Sequence, residues 1–190
     1  MFLPIVAYGD PVLKEVADDI SSDHPNLKEL IENMYETMYA SHGVGLAAPQ
    51  IGKSIRVFVI DCSTFEEDEP ELSGFKKTFI NAEILEEEGD AWLFKEGCLS
   101  IPEVREEVSR HPKITIRYCD EDFVEHTESY EGLAARVIQH EYDHIEGVLF
   151  TDYLSPLRKR MIKRRLEDIR DGKIKSEYRM RFYKSKRRKR

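Results

Sequence analysis

Six consecutive residues carry most of the chemistry this sequence can do: Gln139-His140-Glu141-Tyr142-Asp143-His144. The pattern is His-Glu-x-x-His. At 3.6 residues per helical turn, His140 and His144 stand one above the other on one face. Two imidazoles so placed can bind one metal ion at ~2.0–2.1 Å per nitrogen. Glu141 lies roughly 100° round the helix, where its carboxylate reaches a water on that ion. A catalytic metal needs a third protein ligand and one open position. Downstream, Glu146 is the only acid within a turn and no further histidine follows. Upstream, Glu96-Gly97-Cys98-Leu99-Ser100-Ile101-Pro102 sets a cysteine in a non-repetitive stretch with Gly and Pro. A thiolate there would complete the ligand set. The blander reading makes Cys98 a small buried hydrophobe and the histidines decoration on a surface helix.

A third stretch, His42-Gly43-Val44-Gly45-Leu46-Ala47-Ala48-Pro49-Gln50-Ile51-Gly52, is too rich in Gly and Pro for a regular helix. Glycine permits close approach of another backbone, so the stretch reads as a loop pressed against something, with Gln50 its one neutral polar side chain after His42. The alternative is a tight helix-to-strand connection. There is no phosphate-binding GxGxxG here.

The elements that must position these groups follow from periodicity and punctuation. A helix is expected from about Pro25 to Ser41, with Asp23 as N-cap and Leu27, Leu30, Ile31, Met34 and Met38 on its inner face. Ile55–Ile60 is a mostly apolar, central strand. Residues 63–74 form an exposed loop. Thr78–Leu85 is a strand followed by an acidic turn at Glu86–Asp90, and Ala91–Phe94 begins another. Lys113–Cys119 alternates cleanly, and Phe123–Tyr130 pairs with it across Asp120-Glu121-Asp122. The histidine helix spans about Glu131 to Ile145 and ends at Gly147. Ser155-Pro156 opens a last helix of about 15 residues closed by Gly172. The order, helix then strands then helix, is that of a single α+β domain. Antiparallel or mixed sheets pack around the central metal-binding helix, flanked by an N-terminal helix and a C-terminal helix with a basic tail. The catalytic domain is expected over residues 1–172, with 173–190 a mobile basic tail.

With 190 residues, 41% of them hydrophobic and 35% charged, the chain can bury a real core. No apolar run approaches ~18–20 residues, so no membrane span is expected. The Met1-Phe2-Leu3-Pro4 start has no basic n-region leading an apolar stretch, so no secretory signal is expected either. Three cysteines, Cys62, Cys98 and Cys119, form no disulfide framework and point to reduced thiols in a cytoplasmic protein. The net charge of −8 hides an asymmetry: residues 156–190 hold 17 Lys and Arg against 4 acids, while residues 1–155 hold 12 against 33. A basic tail on an acidic body suits a polyanion such as RNA, or simply stays solvated.

Taken together, Gly43-Val44-Gly45-Leu46-Ala47-Ala48-Pro49-Gln50, Glu96-Gly97-Cys98-Leu99-Ser100 and Gln139–His144 resemble the three signature motifs of the peptide deformylases in type, order and spacing. The likeness covers about residues 1–170. It implies removal of the formyl group from the N-formylmethionine of new polypeptides, with release of formate. It implies one divalent ion on Cys98, His140 and His144, with Fe²⁺ expected in the cell and Zn²⁺, Ni²⁺ or Co²⁺ in preparations. Glu141 would carry the proton. The Leu99 backbone N–H and the Gln50 amide would steady the charge growing on the formyl oxygen. Small residues at Gly45 and Gly97 would admit formyl and exclude acetyl. By the same resemblance Val44, Glu96, Leu133, Val137 and His140 would wall the methionine pocket, and Arg105 would meet the substrate backbone. Asp143 is expected to pair with Arg110 beside the metal loop. The partners implied are formylated nascent peptides and, through the tail, ribosomal RNA. Two rivals remain: a metalloprotease, which lacks its downstream ligand here, and a structural zinc protein binding RNA, which would need a fourth ligand and leave Glu141 without a task.

Overall fold

The computed structural model describes residues 1–67 and 69–183. The chain opens with β1 (Ile5–Val6) and, after a 3₁₀ turn, enters α1 (Leu27–Ala40). Five strands of one antiparallel sheet then accumulate around a hairpin. They are β2 (Gly45–Ala47), β3 (Val57–Asp61) and β4 (Lys76–Glu88), then β7 (Lys113–Cys119) and β8 (Glu125–Glu131), in that spatial order. The hairpin between β4 and β7 is β5 (Trp92–Cys98) with β6 (Ile101–Arg110). The helices α2 (Gly132–Ile145) and α3 (Pro156–Arg170) follow, and β9 (Met180–Arg181) runs parallel to β1. This is the expected α+β architecture with α2 at its centre.

The uninterrupted apolar run of β3 has a simple cause: both of its faces are covered. Phe58 and Ile60 turn toward α2 and meet Phe79, Ile116, Ala135 and Ile138. Val57 and Val59 turn the other way, toward Leu30, Ile31, Met34 and Met38 of α1. The sheet is thus sandwiched between two helices. A third cluster joins Ile101, Val104 and Val108 of β6 to Leu166 and Ile169 of α3. Ser155 caps α3, its hydroxyl accepting from the Arg158 amide at 3.3 Å. Beyond the end of α2, Gly147 takes φ +70, with the Lys14 backbone packed where a side chain would stand.

Four expectations are corrected. α1 begins at Leu27, after Asn26 in the left-handed region, and the Asp23 carboxylate instead takes the Ser21 hydroxyl. The segment 63–74 holds two short 3₁₀ turns, Ser63–Phe65 and Pro70–Leu72. β4 continues through Glu86–Glu88 to pair with β7, where the sequence suggests a turn. Finally, residues 173–183 are packed: Ile174, Met180 and Phe182 join the third cluster, and β9 bonds β1 through Ile5 N–Arg179 O and Ala7 N–Arg181 O, each 2.9 Å. The boundary expected at Gly172 therefore falls inside packed chain. The Lys-Arg-Arg-Lys-Arg end lies outside the described residues.

Candidate active site

Two elements deliver the three expected ligands to one place. α2 presents His140 and His144 on the same side. Cys98 closes β5 at a two-residue turn, where it pairs with Ile101 while Leu99 and Ser100 make the bend. The ligand atoms of Cys98, His140 and His144 all lie within 4.8 Å of one another, and Cys98 Sγ stands 3.3 Å from His144 Nε2. The 42–52 stretch brings the fourth group: Gln50 Nε2 lies 3.4 Å from Cys98 Sγ, its orientation fixed because Oε1 accepts from the Ala47 amide at 2.8 Å.

The surroundings decide which atoms face inward. His140 Nδ1 lies 2.9 Å from Glu96 Oε2, leaving its Nε2 toward the cluster. Glu96 is buried, and burial alone would raise its pKa; hydrogen bonds from His140 and Arg110 outweigh it and hold the carboxyl well below the usual range. Arg110 grips both Glu96 oxygens, at 2.7 and 3.0 Å, and reaches Asp143 Oδ2 at 2.7 Å. The Tyr153 hydroxyl donates to the other Asp143 oxygen at 3.0 Å. The expected Asp143–Arg110 pair is present, and it ties α2 to β6. Burial pushes His144 well below its ordinary value, toward the neutral imidazole.

Glu141 differs from every other acid here. It is 4% exposed, and its Oε2 has no hydrogen-bond partner among the described residues. Burial lifts its pKa to about 7. Gly45 explains how it fits: a Cβ there would stand 2.7 Å from Glu141 Cγ and Cδ. Gly43 does the same for Leu99, whose Cδ1 would lie 2.8 Å from an added Cβ.

The donor set suits a divalent transition ion: one thiolate and two imidazoles, one of them oriented by a buried carboxylate. A structural site would supply a fourth ligand. Gln50 and the unpartnered Glu141 oxygen are there instead.

A cavity of about 640 Å³ opens beside the cluster. Val44, Gly45, Glu96, Gly97, Arg105 and Val137 line it, together with Gln50, Leu99 and Glu141. Leu133 does not. It packs against the core between α2 and the sheet, with its amide near the Glu69 carboxylate. Arg136 turns inward: Nη1 donates to Glu96 Oε1 and to the Val108 carbonyl, both at 3.1 Å, and the guanidinium lies over the Trp92 ring at 4.5 Å. The role of Glu96 as clamp on His140 and the presence of Tyr178 in the wall go unseen in the sequence. The one available signal for Tyr178 is apolar or aromatic residues at 174, 178, 180 and 182 in an otherwise polar tail.

A sequence profile of the polypeptide deformylase family matches residues 2–160. A peptide deformylase from Flavobacterium johnsoniae is 61% identical, with 98% of each chain covered. Among solved structures, a peptide deformylase from Legionella pneumophila superposes with a TM-score of 0.79 at 36% identity, covering 91% of this chain and 98% of that one. One from Synechococcus elongatus, in complex with actinonin, gives 0.74 at 36% identity, covering 90% and 87%.

Proposed function

The chain belongs to the peptide deformylase family, and from that premise we propose how its residues divide the work. The enzyme is a metal-dependent hydrolase that removes N-formyl groups from nascent peptides. Cys98, His140 and His144 hold the ion. When bound, the ion supplies Lewis acidity at the formyl oxygen and lowers the pKa of water. Glu141 takes a proton from the attacking water at its unpartnered oxygen and returns it to the leaving amine as the formyl C–N bond breaks. Gln50 and the Leu99 amide donate to the oxygen on which charge develops, each worth about 10²–10³ in rate. Gln50 does so without adding a charge that would disturb Glu141. Gly45 keeps the space beside Glu141 too small for acetyl. Val44 and Val137 wall the methionine pocket, and Arg105 at the cavity edge meets the peptide backbone.

The observation that carries this reading is the convergence of one sulfur and two imidazoles beside a buried, unpartnered carboxylate. Glu141→Gln tests it. The variant is expected to keep its metal and its Tm while turnover of formyl-Met-Ala-Ser falls at least ~10²-fold. Retained turnover would sink the assignment. Actinonin, in complex with the Synechococcus elongatus relative, is expected to bind here as well.

Fe²⁺ is the proposed cellular ion, with Zn²⁺, Ni²⁺ or Co²⁺ taken up in preparation; Cys/His₂ accommodates all of them. Anaerobic purification with metal analysis and turnover per bound ion decides. The three free thiols favour a cytoplasmic site of action, and no helix among the described residues is long and apolar enough to cross a membrane. The exposed Arg160, Lys163 and Arg164 of α3, with the basic tail beyond, are proposed to meet ribosomal RNA. Replacing those three by Gln and ending the chain at Tyr183 is expected to weaken ribosome binding and flatten its salt dependence. Equal slopes would end that idea.

A further inference from the structure

Leu99 is held from several sides. Its side chain fills the space left at Gly43. The next carbonyl, Ser100 O, accepts from the Tyr8 amide at 2.8 Å. Its own carbonyl accepts from a residue 79 positions away: the Tyr178 hydroxyl donates to Leu99 O at 2.7 Å. Tyr178 is anchored on both flanks. Before it, Ile174 packs into the cluster between β6 and α3. After it, β9 is bonded to β1, Met180 and Phe182 are packed, and the Arg181 guanidinium stands 3.7 Å from Asp10. The segment between these anchors, Lys175 to Tyr178, lines the same cavity as Glu141 and Arg105.

We propose that Tyr178 is a positioning residue for deformylation, fixing the carbonyl end of Leu99 so that its amide end stays aimed at the formyl oxygen, and that residues 175–178 wall the cleft for the peptide behind the formylmethionine. This rests on the reading of Leu99 given above. A hydrogen bond to one end of a residue removes rotation that would otherwise swing the other end. A donor held in place before the substrate arrives needs no reorganisation as charge develops. Leu99 sits in a two-residue bend, where neighbouring strand pairing does not restrain it. The strap restrains it from outside.

Tyr178→Phe removes the hydroxyl and keeps the ring. Steady-state kinetics with formyl-Met-Ala-Ser, expressed per bound metal, are compared with Tm. The expected result is a kcat lower by about tenfold, smaller than the ~10²–10³ for losing a donor outright, with KM within twofold and Tm unchanged. A kcat within twofold of the parent overturns the proposal. So does a raised KM at unchanged kcat, which would make Tyr178 a contact surface only. Should the variant fold poorly, hydrogen exchange on the intact enzyme decides. Saturation with Met-Ala-Ser is expected to slow exchange at residues 99–100 and 174–180 together, and slowing at 99–100 alone overturns the proposal. Turnover by the parent enzyme in the same assay tests the underlying reading separately.

Discussion

Glu96 answers to three cationic or imidazole partners at once, Arg110, Arg136 and His140, all within 3.1 Å. Removing its charge leaves Arg136 without a carboxylate, leaves Arg110 with Asp143 alone, and frees the His140 ring. Glu96→Gln is expected to weaken metal binding 10–100-fold, read by chelator competition. It should also destabilise the fold by roughly 3–5 kcal/mol, as for other broken buried pairs. An unchanged chelator midpoint would remove Glu96 from the metal site's support. Gly45 makes a sharper case, since a single methyl would meet Glu141 Cγ and Cδ at 2.7 Å. A displacement of about 1 Å at a reacting group costs about 10²-fold, so Gly45→Ala should lose about that much kcat while keeping its metal. The proposed ligands and Glu141 are legible in the sequence because the proposed chemistry demands particular residue types at particular spacings. The clamp role of Glu96 is not, because a buried carboxylate and an exposed one read alike until its partners, 14 and 40 residues distant, are folded against it.

At the level of elements, β6 shows what pattern reading misses. Its buried face carries Val104, Glu106, Val108 and Arg110, two of them charged, so no apolar alternation marks the strand. Each charge is matched from afar: Glu106 by Arg158 on α3 at 2.8 Å, Arg110 by Glu96 and Asp143. By contrast α2 and β7 bury apolar residues at the period of their geometry, and β3 is apolar throughout because both its faces are covered, so the sequence shows them plainly. β8, at the sheet edge, is held by Glu128. That carboxylate accepts from Lys77 on β4 and from Tyr118 on β7, each at 2.7 Å, and from Tyr130. Burial opposes its ionisation, but these donors bring its pKa down from 4.5 to about 2. A carboxyl group whose folded pKa is depressed stabilises fully above its unfolded pKa and loses that contribution as pH falls through the folded one. The window here runs from about pH 4.5 down to about 2. The pair is a third exposed, so screening limits the effect to less than ~1 kcal/mol. Glu128→Gln should lower Tm slightly at pH 7, and the difference should vanish only as the pH falls below about 2. A difference that persists there would contradict this account.

For the whole molecule, an ion held as proposed by Cys98, His140 and His144 would tie α2 to the β5–β6 turn. A ligand present at 1,000 times its Kd stabilises the folded state by about 4.1 kcal/mol, which for a chain of this size is roughly 8–16 °C in Tm. Chelation under anaerobic conditions should lower Tm by that order, and readdition of Fe²⁺ or Zn²⁺ should restore it. An apo form melting with the holo form would show that the two elements hold their places unaided. The pairing of Ile5 with Met180 and Val6 with Arg181 joins the first strand to the last. A ribosome adds residues in one direction, so this seam closes only after residues 180–181 have been made. Until then a growing copy carries Cys98, Glu141 and the two histidines of α2 without the side of the cleft that residues 175–178 supply.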